Sequence, residues 1–452
     1  MYIHDVILTI ETKESLLKVR FDMSEFDKVI GYEDIKLEMK RFCDVLKNPD
    51  KYMRLGVNMP SGLLLSGDPG LGKTLLARCF IDEAGCKVIT LRKEKPDGDF
   101  VKEIKESFEK AKKERTAIVF LDDMDKFANE DEMHRDAEEY VTIQSCIDEC
   151  KGMGIFALAT VNDRYCLPDS LLRAGRFDKI IEVTAPRGDD ARSIIEHFLE
   201  SKEVMGNIDI EEISRLMDGH SCAELETVIN EAGIYAAYDG RDKINQKDIV
   251  KASLRIMFES PECIESSDDK LTRRIAVHEA GHAVVGELLE PGSISLVSVC
   301  RYTGSIEGIT KGKSDNELRL SIAQREKSIM QGLGGKAATE VVYGDSDVGC
   351  ESDMRKIFSL VSNLVDSNCV YGFDAFERGC DSRYLIDNKG RMMAAEVSRL
   401  YRQTKKLIVE NRVFFDNVVE ELIEKKTLTF RDMERIRKKY SNFGQGGARN
   451  VV

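Results

Sequence analysis

No uncharged apolar run in this chain approaches the ~20 residues that a membrane-spanning helix requires. Membrane insertion is therefore not expected, and the chain reads as soluble. Nor is there a long basic block. The balance of 67 basic against 81 acidic residues gives a net charge of −14. That argues against nucleic acid as the main partner, because phosphate backbones demand a concentrated cationic face. No C-x-x-C pair occurs among the twelve cysteines, which points to buried thiols in a reducing cytoplasm. The amino end, "MYIHDVILTIETKESLLKVRF", lacks the basic-then-apolar layout of a secretion signal. No histidine follows His282, which constrains any metal site.

At 452 residues the chain is long enough for two or three domains. Short apolar runs at 63–65, 87–91, 117–121, 156–160 and 180–183 alternate with helix-patterned stretches such as "VKEIKESFEKAKKE". Strands alternating with helices predict a parallel sheet covered on both faces. From Pro186 to about Phe258 the pattern is helical only, and the polar stretch "SPECIESSDD" breaks it as a linker. A second helix-rich region runs to about residue 440, before the loose tail "SNFGQGGARNVV".

"GLLLSGDPGLGKTLLARCF" places Gly67-x4-Gly72-Lys73-Thr74 between an apolar strand and a helix. Glycines let the backbone bend until its amides face phosphate oxygens, and the amino end of the next helix adds positive potential. The cradle comprises Asp68, Pro69, Gly70, Leu71, Gly72, Lys73, Thr74 and Leu75. Lys73 suits the β and γ phosphates of ATP, and the Thr74 hydroxyl suits Mg²⁺. About fifty residues on, "AIVFLDDMD" ends a strand in acids. Asp122 is expected in the magnesium shell and Asp123 facing the attacking water. Asn162, just beyond "FALATV", is placed to position the γ phosphate or that water, and Arg173 and Arg176 in "LLRAGRFD" to reach a neighbouring subunit's nucleotide.

In "RRIAVHEAGHAVVGELL" a helix is expected from about Lys270 to Leu289. At 3.6 residues per turn His278 and His282 share a face and can chelate one Zn²⁺. Glu279 lies about 100° round the helix, near a zinc-held water rather than on the metal, where a general base belongs. Gly281 costs roughly 1 kcal/mol of helix propensity, so a close packing contact is expected there. A third ligand must be an acid. Many downstream acids are available, and spacing does not choose among them.

These stretches, with "FDKVIGYEDIK", "GHSCAEL" and "GGKAATEVVYG" in the same order, resemble the FtsH-type AAA zinc metalloproteases over residues 23–440. Residues 23 to about 255 resemble the AAA ATPase module. The resemblance implies an α/β P-loop ATPase domain (23–185), a helical lid (186–258), a linker (259–269) and a mainly α-helical zinc peptidase domain (270–440). Residues 1–22 form an amino-terminal extension and 441–452 a tail. It further implies that Ile30, Gly31, His197, Cys222 and Ala223 surround adenine and ribose, and that Asp353 completes the zinc site. One Zn²⁺ per subunit, ATP with Mg²⁺, unfolded or tagged protein substrates, a homohexamer and a cytoplasmic location follow. The alternatives are a zinc peptidase with a slow or regulatory ATPase, and a non-proteolytic AAA remodeller.

The chain departs from the family pattern in several places. The membrane-spanning amino end is not seen, and Asp123 stands where a glutamate is usual. Its carboxylate is one methylene shorter, so slower hydrolysis is expected. The pore segment "RKEKPDGDFVKEI" lacks an aromatic–aliphatic–glycine grip, with Phe100-Val101 as the nearest substitute. Weak threading is expected. Cys222 replaces a glycine near the adenine.

Overall fold

The computed structural model describes residues 24–93, 100–128, 137–259, 269–300, 308–313, 321–345, 348–372 and 383–441. The amino-terminal extension, residues 94–99 of the pore segment, and nearly all of the linker and the tail lie outside them. In chain order the helices are α1 (Glu33–Lys47), α2 (Pro49–Met53), α3 (Lys73–Ala84), α4 (Phe100–Ala111), α5 (Glu138–Glu149), α6 (Asp189–Glu200), α7 (Ile210–Leu216) and α8 (Cys222–Tyr238). They continue as α9 (Gln246–Phe258), α10 (Asp269–Leu289), α11 (Ile322–Tyr343), α12 (Glu351–Ser362), α13 (Arg383–Glu410), α14 (Arg412–Lys425) and α15 (Phe430–Tyr440). Backbone contacts divide the chain into two compact units, Met1–Lys202 with Gly219–Asn230, and Glu203–Asp218 with Glu231–Val452.

The first unit holds five parallel strands: β1 (Gly62–Ser66), β2 (Lys87–Leu91), β3 (Ala117–Leu121), β4 (Ile155–Val161) and β5 (Lys179–Glu182). Their spatial order is β2-β3-β4-β1-β5. Every residue of β1, β3 and β4 is buried, which is why these strands read as unbroken apolar runs rather than alternating ones. All pairings are parallel, with Leu64 beside Ala159 and Ile180. The carboxyl ends of β1, β3 and β4 therefore face the same way, and each is followed by a residue predicted to meet nucleotide.

The second unit is mainly helical, as expected, but it also carries a sheet that the sequence pattern concealed. Strands β6 (Ile294–Ser298), β7 (Ile309–Gly312) and β8 (Thr427–Thr429) form an antiparallel sheet with β6 in the middle. β7 and β8 are too short, and too polar, to show a period of two.

Helix α10 begins at Asp269, one residue from the expected start. Between Ile275 and Leu288 every residue is buried except His278, so this helix is the axis of the unit's core. Its close contact is with α11. A Cβ on Gly281 would lie 2.3 Å from the Gly334 carbonyl oxygen, and one on Gly334 would lie 2.4 Å from that of Gly281. The helix-propensity cost of Gly281 is thus offset by letting two backbones touch. Below this crossing, buried Glu287 accepts from the backbone amides of Gly292 and Ile294 and pairs with Arg437, pinning the turn into β6.

Candidate active site

The loop after β1 bends where only glycine is unstrained. Gly67, Gly70 and Gly72 have φ of 150°, 79° and 84°, and a Cβ at Gly67 would lie 2.0 Å from the Val183 carbonyl oxygen. The chain then enters α3 at Lys73. The Lys73 ammonium donates to the carbonyls of Gly67 (2.6 Å) and Asp68 (2.8 Å) and to Asn162 Oδ1 (2.9 Å). Burial lowers its pKa, while Asp125, Asp123, Asp68 and Asp122 pull in the opposite direction.

Thr74 Oγ1 stands 3.2 Å from Asp122 Oδ1. Oxygens about 2.1 Å from an octahedral Mg²⁺ lie roughly 2.9 Å apart along an edge, so this pair fits the ion. Thr160 donates to the same Asp122 oxygen at 2.8 Å and accepts from the Asp123 amide at 2.9 Å. Asn162 Nδ2 donates to Asp125 Oδ2 at 3.0 Å.

Of the residues expected around adenine, several converge. The Ala223 amide donates to the Gly70 carbonyl at 3.1 Å, so the start of α8 packs on the phosphate loop. Gly31, at φ 72°, leaves no room for a Cβ against Asp190. Beside it the Tyr32 hydroxyl lies 3.4 Å from Cys222 Sγ, and burial pushes that thiol's pKa up. His197 instead lies exposed on α6, facing Glu200 at 3.6 Å, and no contact among the described residues joins it to the loop.

Three other placements differ from the sequence reading. Asp123 has a left-handed backbone, φ 55°, and its Oδ2 is paired with Lys126 at 2.8 Å and Arg92 at 3.6 Å. The carboxylate expected to face water is turned to two cations. Arg176 is bonded within its own chain, to both oxygens of Asp148 and to the Ser170 carbonyl. Arg173, by contrast, is exposed and makes no ion pair among the described residues. Phe100 is buried against Phe127, ring centroids 4.8 Å apart, so packing removes it as a pore-facing grip. Residues 94–99 of that segment lie outside the described residues.

In the second unit the metal site assembles from α10 and α12. His278 Nε2 and His282 Nε2 are 3.1 Å apart, and Asp353 Oδ2 is 3.2 Å and 3.3 Å from them. Ligands about 2.0–2.1 Å from a tetrahedral Zn²⁺ stand about 3.3 Å apart. The three atoms therefore describe one face of such a tetrahedron. His282 Nδ1 donates to the Gln331 carbonyl at 2.8 Å, so in the neutral ring it is Nε2 that carries the lone pair a metal needs. Burial opposes the charged form of Asp353, but hydrogen bonds from both imidazoles outweigh it and hold the carboxyl well below its usual range. Burial likewise opposes protonation of His282, and the bond to Asp353 with the charges of Glu279 and Asp353 outweighs it, raising the pKa. Gly335 makes the cradle possible: a Cβ there would lie 2.5 Å from the imidazole atoms of both histidines. The site opens on a cleft of about 770 Å³ whose lining includes Glu279, Thr310 and Lys356.

Comparison with known proteins agrees with this geometry. Residues 63–185 match the ATPase family associated with various cellular activities (AAA), 207–251 the AAA+ lid domain, and 265–375 peptidase family M41. The ATP-dependent zinc metalloprotease FtsH of Thermotoga maritima is 31% identical, over 91% of this chain and 72% of its own length. The chain belongs to the FtsH family. The Thermus thermophilus FtsH is 29% identical over 91% of this chain and 70% of its own, and a Thermoanaerobacter FtsH is 26% identical over 94% and 85%.

As an FtsH-type enzyme the protein is an ATP-dependent zinc metalloprotease, using Zn²⁺ and ATP with Mg²⁺. No helix among the described residues is long and apolar enough to cross a membrane. Sequence reasoning missed four residues that the structure places beside the candidate sites: Thr160, Asp125, Gly335 and Thr310. The second glycine of "GGK" inside a helix-rich region was a signal for Gly335, since a helix tolerates that cost only for a close approach. Nothing in the linear pattern distinguished Thr310, whose hydroxyl lies 2.7 Å from Glu279 Oε2.

Proposed function

We propose that His278, His282 and Asp353 hold the zinc ion and that Glu279 is the general base of peptide hydrolysis. The carrying observation is the triangle of donor atoms 3.1–3.3 Å on a side. Zinc bound there supplies Lewis acidity, lowering the pKa of a water and polarising a carbonyl. Glu279, one position from His278 on the buried helix, takes a proton from the nucleophile and returns it to the leaving amine. Glu279→Gln is expected to lower casein cleavage by at least about 10³-fold, with zinc content near one per chain. Undiminished cleavage refutes the assignment.

In the ATPase unit, Lys73, Thr74 and Asp122 hold the triphosphate and Mg²⁺, and Asn162 orients the γ phosphate. Subunits assemble as a homohexamer, in which Arg173 reaches a neighbour's nucleotide; its exposure supports this role more than the paired Arg176 does. ATP-driven movement feeds unfolded or tagged proteins to the peptidase. The domain limits proposed are 23–185, 186–258 and 270–440, and the free described cysteines support a cytoplasmic location.

A second reading, a peptidase with a slow ATPase, is favoured by the pairing of Asp123 with Lys126 and Arg92. On this reading Asp123→Glu, whose longer arm reaches past those cations, raises the ATPase kcat several-fold, of order 1 kcal/mol in the barrier. An unchanged kcat rejects it.

A further inference from the structure

Among the described residues, strand β7 has a neighbour on one side only, β6, with Thr310 opposite Val297 and Lys311 opposite Leu296. Side chains tie this outer strand in two further directions.

Toward α10, Thr310 Oγ1 lies 2.7 Å from Glu279 Oε2 and 3.0 Å from the Glu279 carbonyl oxygen. The hydroxyl has one proton, and the carboxylate is the stronger acceptor for it. One short, branched side chain thus spans both the reacting end of Glu279 and the backbone that carries it. Two residues earlier, Gly308 lets the strand come close: a Cβ there would lie 2.9 Å from Glu279 Cγ and Oε1.

Away from α10, the Lys311 ammonium donates to the Leu216 carbonyl at 2.7 Å and lies 3.4 Å from that of Asp218. These carbonyls belong to the carboxyl end of α7 and the turn after it. Helix ends leave such groups without intrahelical partners and carry negative potential, so an ammonium is well matched. α7 falls within the residues matching the AAA+ lid domain, whereas β7 and α10 fall within those matching the peptidase family.

We propose that Thr310 is a positioning residue for Glu279, and that Lys311 anchors its strand to the lid helix, so that β7 joins lid and general base mechanically. The proposal rests on Glu279 being the base. Thr310 touches neither metal nor peptide in this role. Its hydroxyl restricts the carboxylate to one direction, and its loss leaves the base free to sample unproductive ones. Turnover should therefore suffer and substrate binding should not.

The test is steady-state cleavage of a short fluorogenic peptide by the full chain. Zinc content, ATPase rate and thermal midpoint are measured on every variant. Thr310→Val, nearly isosteric, is expected to lower kcat about tenfold with KM within about twofold and zinc unchanged. Thr310→Ser, which restores the hydroxyl, is expected to recover kcat to within about threefold of wild type. Lys311→Met keeps the aliphatic stem and is expected to lower kcat about threefold. It should add almost nothing in a Thr310→Val background, because both act through one strand. A wild-type kcat for Thr310→Val, a change confined to KM or zinc content, or failure of serine to rescue overturns the proposal. Glu279→Gln is assayed alongside. If it is inactive while Thr310→Val is unimpaired, only the positioning role falls; if it still cleaves, the base assignment itself falls.

Discussion

An alanine methyl at position 335 would sit 2.5 Å from both imidazoles of the zinc cradle, closer than any real Cβ contact allows. The His282 ring cannot retreat easily, since it is buried and bonded through Nδ1 to the Gln331 carbonyl. Gly335→Ala is therefore expected to weaken zinc binding by at least about tenfold, read by chelator competition, while ATPase activity persists. Retained zinc affinity would mean that the helices separate at little cost. The same reasoning distinguishes two chemically similar acids. Asp122 is held by Thr160 beside Thr74 and is ready for Mg²⁺, whereas Asp123, one residue on, is turned to Lys126. Backbone conformation separates them, because Asp123 adopts φ 55°.

Individual elements show how local rules build these sites. Helix α9 opens with a reciprocal cap in which Asn245 and Asp248 satisfy each other's backbone amides. Asp248 is also gripped at both oxygens by Arg241, at 2.6 Å and 2.7 Å. That fork, aided by the Asn245 amide and opposed by burial, lowers the Asp248 pKa. A depressed carboxylate stabilises the fold above its unfolded pKa of about 3.9 and loses that contribution as pH falls through the native value. Wild type should be more stable than Arg241→Ala at pH 6, and the gap should close progressively below about pH 4. Urea unfolding at pH 6 and pH 3 measures it, and a gap independent of pH would contradict the assignment.

At the scale of the molecule, two chemistries sit in two compact units of one chain, and the proposed ring would have a neighbour complete the nucleotide site. Arg173 is the exposed member of the arginine pair, and Arg176 is spent on Asp148. Arg173→Ala is expected to lower ATPase kcat about 10³-fold, with nucleotide affinity and the sedimenting hexamer retained. Arg176→Ala should instead lower thermal stability. Wild-type kcat in Arg173→Ala, or monomers only in sedimentation velocity with nucleotide, would exclude the shared site.

The chain's linear pattern was enough for the parallel sheet, the phosphate loop and the histidine pair, because each depends on neighbours within a turn of helix or one strand–loop–helix junction. Gly67, Lys73, His278 and His282 are legible for that reason. Asp353 was reachable only through family resemblance: it lies 71 positions after His282, and spacing over such a distance carries no geometry. The antiparallel sheet, the crossing of Gly281 on Gly334, the burial of Phe100 and the hold of Thr310 on Glu279 were decided by tertiary structure alone. Each is a contact between segments whose separation along the chain does not limit their separation in space. Close packing, rather than local propensity, selected the partner.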